Sequence, residues 1–116
     1  MNTETLNALK QVNSLIAQLQ DALKDPALTP QEKSLIRQAI NDQMDLQDTL
    51  IQDSMQAMVD KINAANSDLE ALMAKMEKVS QKLGKLAATI KKVSDVVGTL
   101  AEITKKAMSA GLLGGA

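Results

Sequence analysis

Asn63-Ala64-Ala65-Asn66-Ser67-Asp68-Leu69-Glu70 lies near the middle of the chain, and whether it turns or stays helical decides the fold. Ser67 followed three residues later by Glu70 is a capping-box pattern, in which hydroxyl and carboxylate each satisfy a backbone N–H left over at a helix start. Two asparagines shortly before it point the same way. Against a turn, no proline occurs between Pro30 and Ala110, and Gly84 is the only glycine before Gly98. An unbroken helix over that span would be about 120 Å long, and its apolar stripe would be buried only in an oligomer.

Charge placement favours the turn. Between Gln38 and Asp60 the charged residues are Asp42, Asp45, Asp48, Asp53 and Asp60, whereas between Ala71 and Lys92 they are Glu77 and six lysines (75, 78, 82, 85, 91 and 92). Folding the chain about Ala65 and Asn66 sets the acidic stretch beside the basic one. It also brings Met55 opposite Met76 and Met58 opposite Met73. Surface ion pairs contribute only about 0–1 kcal/mol each, so such charges specify register rather than hold a hairpin together. Two long continuous helices paired between chains would satisfy the same charges.

Beyond the presumed turn the periodicity is strict. Ile62, Leu69, Met76, Leu83, Ile90 and Val97 recur every seven residues, and Ala65, Leu72, Val79, Leu86, Val93 and Leu100 form the partner series three positions on. A sustained heptad without charge at its core positions predicts a left-handed supercoiled seam.

At the other end of the chain, Leu9, Val12, Ile16, Leu19 and Leu23 step by three and four, which predicts a first helix over about 5–24. Asp25-Pro26-Ala27-Leu28-Thr29-Pro30 then breaks it. Thr29 is an N-cap, Pro30 occupies the first helical position, and Glu32 closes a capping box. In the second helix, Leu35, Leu46 and Leu50 lie beside the seam residues Ile36, Ile40, Met44 and Ile51, while Val96 and Ile103 broaden the seam of the last one. A first helix running back along the second covers that broad zone and leaves the thinner one bare. The expected fold is therefore all-α, with helices over about 30–64 and 67–109 completing a three-helix base and a long antiparallel two-helix coiled-coil arm. Residues 1–110 make one helical domain and 111–116 a flexible tail.

Composition narrows the function. The 116 residues are 45% apolar with net charge −1, and there is no Cys, His, Phe, Trp or Tyr. This set lacks a thiol or imidazole for nucleophilic or general-base catalysis and for the usual zinc ligands, and it lacks a ring on which a base could stack. Asp42, Asp45 and Asp48 step by three on one helical face but have no loop carbonyls to complete a cation site. No phosphate-cradling loop appears. The expectation is a non-enzymatic protein with no catalytic residue, metal, cofactor or small-molecule substrate. Residues 67–116 hold eight basic and five acidic groups, net +3. The basic groups are all lysine, without the arginine that usually reads base edges, so nucleic acid is not an expected partner.

What remains is a protein partner or self-association, through the coiled-coil seam or a methionine-rich arm. Methionine is flexible and over-used on surfaces that accept several partners, which makes Met55, Met58, Met73 and Met76 the candidate contacts, joined by Leu112 and Leu113 in the tail. The alternative reading is a secreted or membrane-active component of a pore, filament or secretion apparatus whose hairpin opens on assembly. Membrane contact ranks below a protein partner, because the lysine-flanked last helix lacks Trp and Phe. The first twenty residues carry no signal-peptide core, and no run approaches the roughly 20 apolar residues of a membrane span. A cytoplasmic location and leaderless export both fit.

Overall fold

The computed structural model describes residues 3–52 and 54–110, and it is all-helical. Four helices follow in order: α1 (Thr3–Ala22), α2 (Pro30–Gln52), α3 (Met55–Val79) and α4 (Gln81–Ser109). Each runs antiparallel to the one before. α1 packs on α2 and α4, and α3 packs on α2 and α4, so the four stand at the corners of a slender bundle of 54 × 21 × 17 Å. Leu112 and Leu113 lie outside the described residues.

The first half follows the sequence reading. α1 buries Thr5, Ala8, Val12, Leu15, Ile16 and Leu19, one stripe at helical spacing. Its C-terminal end passes into a turn in which the Ala27 N–H donates to Asp25 Oδ1 over 2.9 Å. The capping box is formed on both sides. The Glu32 N–H donates to Thr29 Oγ1 over 3.1 Å, and the Thr29 N–H donates to Glu32 Oε1 over 2.9 Å.

The second half differs from it. The described residues form four helices where three were expected, and the stretch 63–67 lies inside α3 rather than at a turn. The chain reverses instead between α2 and α3, before Ser54, and at Ser80. Ser54 caps α3 by accepting from the Ala57 N–H over 3.3 Å. Ser80, extended at φ −165° and ψ 161°, ends α3 and starts α4 by itself. The physical reason is tertiary. Neither break carries a proline or glycine, whereas the Ser67–Glu70 pattern is overridden because Ile62, Leu69 and Leu72 are all buried on one face of a continuous helix.

The reversals also separate the charges that suggested the mid-chain turn. α2 and α4 occupy diagonal corners, so the acidic stretch of α2 does not lie along the lysines of α4. A base of three helices with a two-helix arm projecting from it is replaced by packing of all four helices.

The heptad residues form the core. Ile62, Leu69, Met76, Leu83, Ile90 and Val97 are all fully buried, with Leu72, Val93 and Leu100 beside them. Burial of such side chains contributes about 1.5–3 kcal/mol each. In α2 the inward series is Ile36, Ala39, Gln43, Leu46 and Leu50, whereas Met44 and Ile51, expected in the seam, are exposed. Gly98 marks a close approach of α3 to α4, because a Cβ there would stand 3.3 Å from Asn66 Nδ2.

Candidate functional site

The two ends of the bundle differ in chemistry. At one end the α1–α2 turn meets the α3–α4 joint, and polar groups tie them together. Lys82 pairs with Asp25, and the Ser80 hydroxyl donates to Glu32 Oε2 over 2.9 Å. The Lys82 hydrogen bond, helped by the Ala27 N–H, holds the Asp25 carboxyl below its ordinary pKa, and the same pairing raises Lys82. Glu32 is likewise held low, first by the Thr29 N–H and then by the Ser80 hydroxyl.

The opposite end gathers the start of α1, the end of α2, the start of α3 and the end of α4. Four of the five large apolar side chains exposed among the described residues are here: Leu6, Ile51, Met55 and Ile103, each 39–52% exposed. The fifth, Met44, lies seven residues before Ile51 on the same face of α2. Gln47, between them on that face, donates to Asn13 Oδ1 over 2.6 Å, which places the face beside α1.

Clefts flank the C-terminal half of α4. One of about 260 Å³, against α1, is lined by Glu4, Asn7, Val96, Thr99, Leu100 and Ile103. Another of about 370 Å³ lies against α3, between Gln56, Val59, Asp60 and Asn63 on one side and Lys105, Met108 and Ser109 on the other. Val96, Thr99 and Ile103 form an i, i+3, i+7 rail along the first cleft.

The methionines singled out from sequence all belong to α3. Met55 and Met76 stand about 31 Å apart along it. Met58 and Met76 are buried, Met73 is half-buried against the core, and Met55 is exposed at the apolar end. The convergence expected from a turn at 63–67 is therefore absent, and only Met55 joins the exposed cluster. Leu6, Met44, Ile51 and Ile103 were not read as exposed. The signal lay in phase: Met44 and Ile51 fall outside the Ile36–Gln43–Leu50 and Ala39–Leu46 series, and Gln43 had to be accepted as a core residue for that series to be seen.

Gln43 is one of three buried polar groups in the middle of the bundle. Its side chain is fully buried, and neither amide atom has a hydrogen-bond partner. Asn66 Oδ1 and Ser94 Oγ are also buried without partners, although Asn66 Nδ2 donates to the Ser94 carbonyl over 3.5 Å. Nearby, Asp42 is raised in pKa by burial and then by Asp45 and Asp68.

Among the described residues no three His, Cys, Asp or Glu side chains group closely enough to hold a metal ion, and no helix is long and apolar enough to cross a membrane. No family model, curated protein or solved structure matches this chain.

Proposed function

We propose that the chain is a non-enzymatic helical interaction protein that binds a protein partner at the apolar end of the bundle, with an amphipathic helix of the partner laid along the α1–α4 cleft. The supporting observation is that the exposed Ile103 stands on the wall of the α1–α4 cleft with Val96 and Leu100, at the end of the bundle where Leu6, Ile51 and Met55 are also exposed. Exposed apolar surface within a groove marks an interaction site. The cleft carries a single charged group, Glu4, and offers Val96, Leu100 and Ile103 as apolar lining between two helices, the kind of groove into which an amphipathic helix lays its apolar face. The heptad seam is buried within the chain, so the exposed end replaces the seam as the proposed contact.

A photo-crosslinking residue at position 103, and separately at position 7, tests this in the cell that makes the protein. Both positions line the α1–α4 cleft and should capture the same partner, while position 85 on the exposed face of α4 should not, and Val96→Asp should abolish capture from position 103. Capture that is equal from all three positions, or unaffected by Val96→Asp, removes the proposal. In vitro, a synthetic amphipathic helix with leucines at i, i+3 and i+7 should shift amide resonances around Asn7, Thr99 and Ile103 selectively.

A further inference from the structure

The heptad does not stop at the joint between α3 and α4. Met76 and Leu83 lie on opposite sides of Ser80, in helices that run in opposite directions, yet they are seven residues apart like every other pair in the series, and all six members are fully buried. The partner series also crosses in step, from Val79 to Leu86. A hairpin places no such demand on its sequence, because its two arms set their phases independently. A continuous helix requires it.

We infer that Ser80 is a hinge, and that α3 and α4 straighten into one helix from Met55 to Ser109 that pairs antiparallel with the same helix of a second copy in a domain-swapped dimer. The joint is a single residue. The three residues on either side, Glu77-Lys78-Val79 and Gln81-Lys82-Leu83, include no proline or glycine, and Gly84 just beyond them is helical in α4 already, so a straight helix meets no new helix breaker at the joint. The bend is held from outside α3 and α4, by Glu32 of α2 on the Ser80 hydroxyl and by Asp25 of the α1–α2 turn on Lys82. The occupant follows from what straightening uncovers. The face of α3 released by its own α4 is complementary to α4 alone, so a second copy restores each lost contact in kind. α2 stays on its own α3, which follows it directly in the chain, and α1 packs on the α4 of the other copy. Every helix–helix interface is preserved and only the joint changes. This uses the buried seam rather than the apolar end, so it stands independently of the partner proposed above.

Two substitutions move the hinge in opposite directions. Ser80→Ala removes the hydroxyl that caps α4 at the Leu83 N–H and the bond to Glu32, and it favours helix through the joint. Gln81→Pro suits the hairpin, because proline is favoured at the first position of a helix and Ser80 before it is already extended. The same proline breaks a continuous helix. The chain has no cysteine, so spin labels attach specifically at Asn63→Cys and Lys105→Cys, two exposed positions that line one cleft in the hairpin. In a straight helix they stand about 60 Å apart. The 116-residue chain is unfolded, refolded at high concentration with excess unlabelled chain, and examined by light scattering and pulsed dipolar spectroscopy. Ser80→Ala is expected to raise the dimer fraction at least tenfold and to show the long intrachain distance, and Gln81→Pro to abolish both. A monomeric Ser80→Ala protein, a dimer that keeps the short distance, or a dimer that persists with Gln81→Pro overturns the inference. Should Ser80→Ala lose its helical circular dichroism, wild type against Gln81→Pro decides: an equal dimer fraction in the two overturns it.

Discussion

Ser80 and Glu32 are 48 residues apart in sequence, and the serine hydroxyl donates to the glutamate Oε2 across 2.9 Å. Since the other oxygen of Glu32 accepts from the Thr29 N–H, one carboxylate both completes the cap of α2 and fastens the α3–α4 joint. Local and long-range order meet in that group.

Removing the cap should therefore be felt beyond α2. Thr29→Ala is expected to cost about 1 kcal/mol of stability, read from urea unfolding. In hydrogen exchange the amides of Leu83 and Gly84, in the first turn of α4, should lose protection along with those of α2. Loss confined to α2 would show that the two roles of Glu32 are not coupled.

The same end predicts the response to acid. The folded-state pKa values of Asp25 and Glu32 are depressed, so their stabilisation is present above the ordinary carboxylate values and is lost as pH falls below about 4. The melting temperature should drop between pH 5 and pH 2, and the drop should be shallower in an Asp25→Asn, Glu32→Gln double variant.

Asp42 carries the opposite sign. Its folded pKa is raised by burial, Asp45 and Asp68, so its favourable contribution is complete only below the ordinary aspartate value and is lost as pH rises through the folded one. Asp42→Asn should stabilise the protein at pH 7 and have no effect at pH 3. An equal gain at both values would place the cause elsewhere.

Gln43 offers the clearest route to a more stable bundle. A buried amide without a partner is costly, and the residues before and after it in the α2 core series are Ala39 and Leu46. Gln43→Leu is expected to gain about 1–3 kcal/mol, seen as a higher denaturation midpoint at unchanged slope. A destabilised variant would show that the amide has found water or that the site is too narrow for a branched side chain.

The methionines separate packing from surface. Met76→Ala should cost about 2–5 kcal/mol, since it empties a fully buried position. Met55→Ala should change stability by less than about 0.5 kcal/mol while weakening partner capture. If Met55→Ala leaves capture intact, the methionine is not part of the contact.

Much of the fold was legible in the sequence because local chemistry and tertiary packing agree there. Thr29-Pro30 with Glu32 announces the start of α2, and the seven-residue series names the core without error from Ile62 to Val97. The joints at Ser54 and Ser80 were not legible. Each is a lone serine cap without an acidic residue three positions on, whereas Ser67 has one in Glu70 and lies mid-helix. Capping chemistry identifies residues able to start a helix, and packing determines which of them do. The charge argument failed for a related reason. Acidic and basic stretches can be matched along the chain in several ways, and four corners allow a diagonal that two arms do not. The exposed cluster was hidden by the assumption that Met44, Ile51 and Ile103 serve the core, although they miss its phase.

Thr3 and Ser109 sit at the same end of the bundle, across from the Asp25–Lys82 and Glu32–Ser80 ties. Tension applied between these two positions pulls α1 and α4 apart from one end and loads contacts one turn at a time. The molecule should thus peel like a zipper, at low force and from the apolar end inward, with its polar knot the last part to yield.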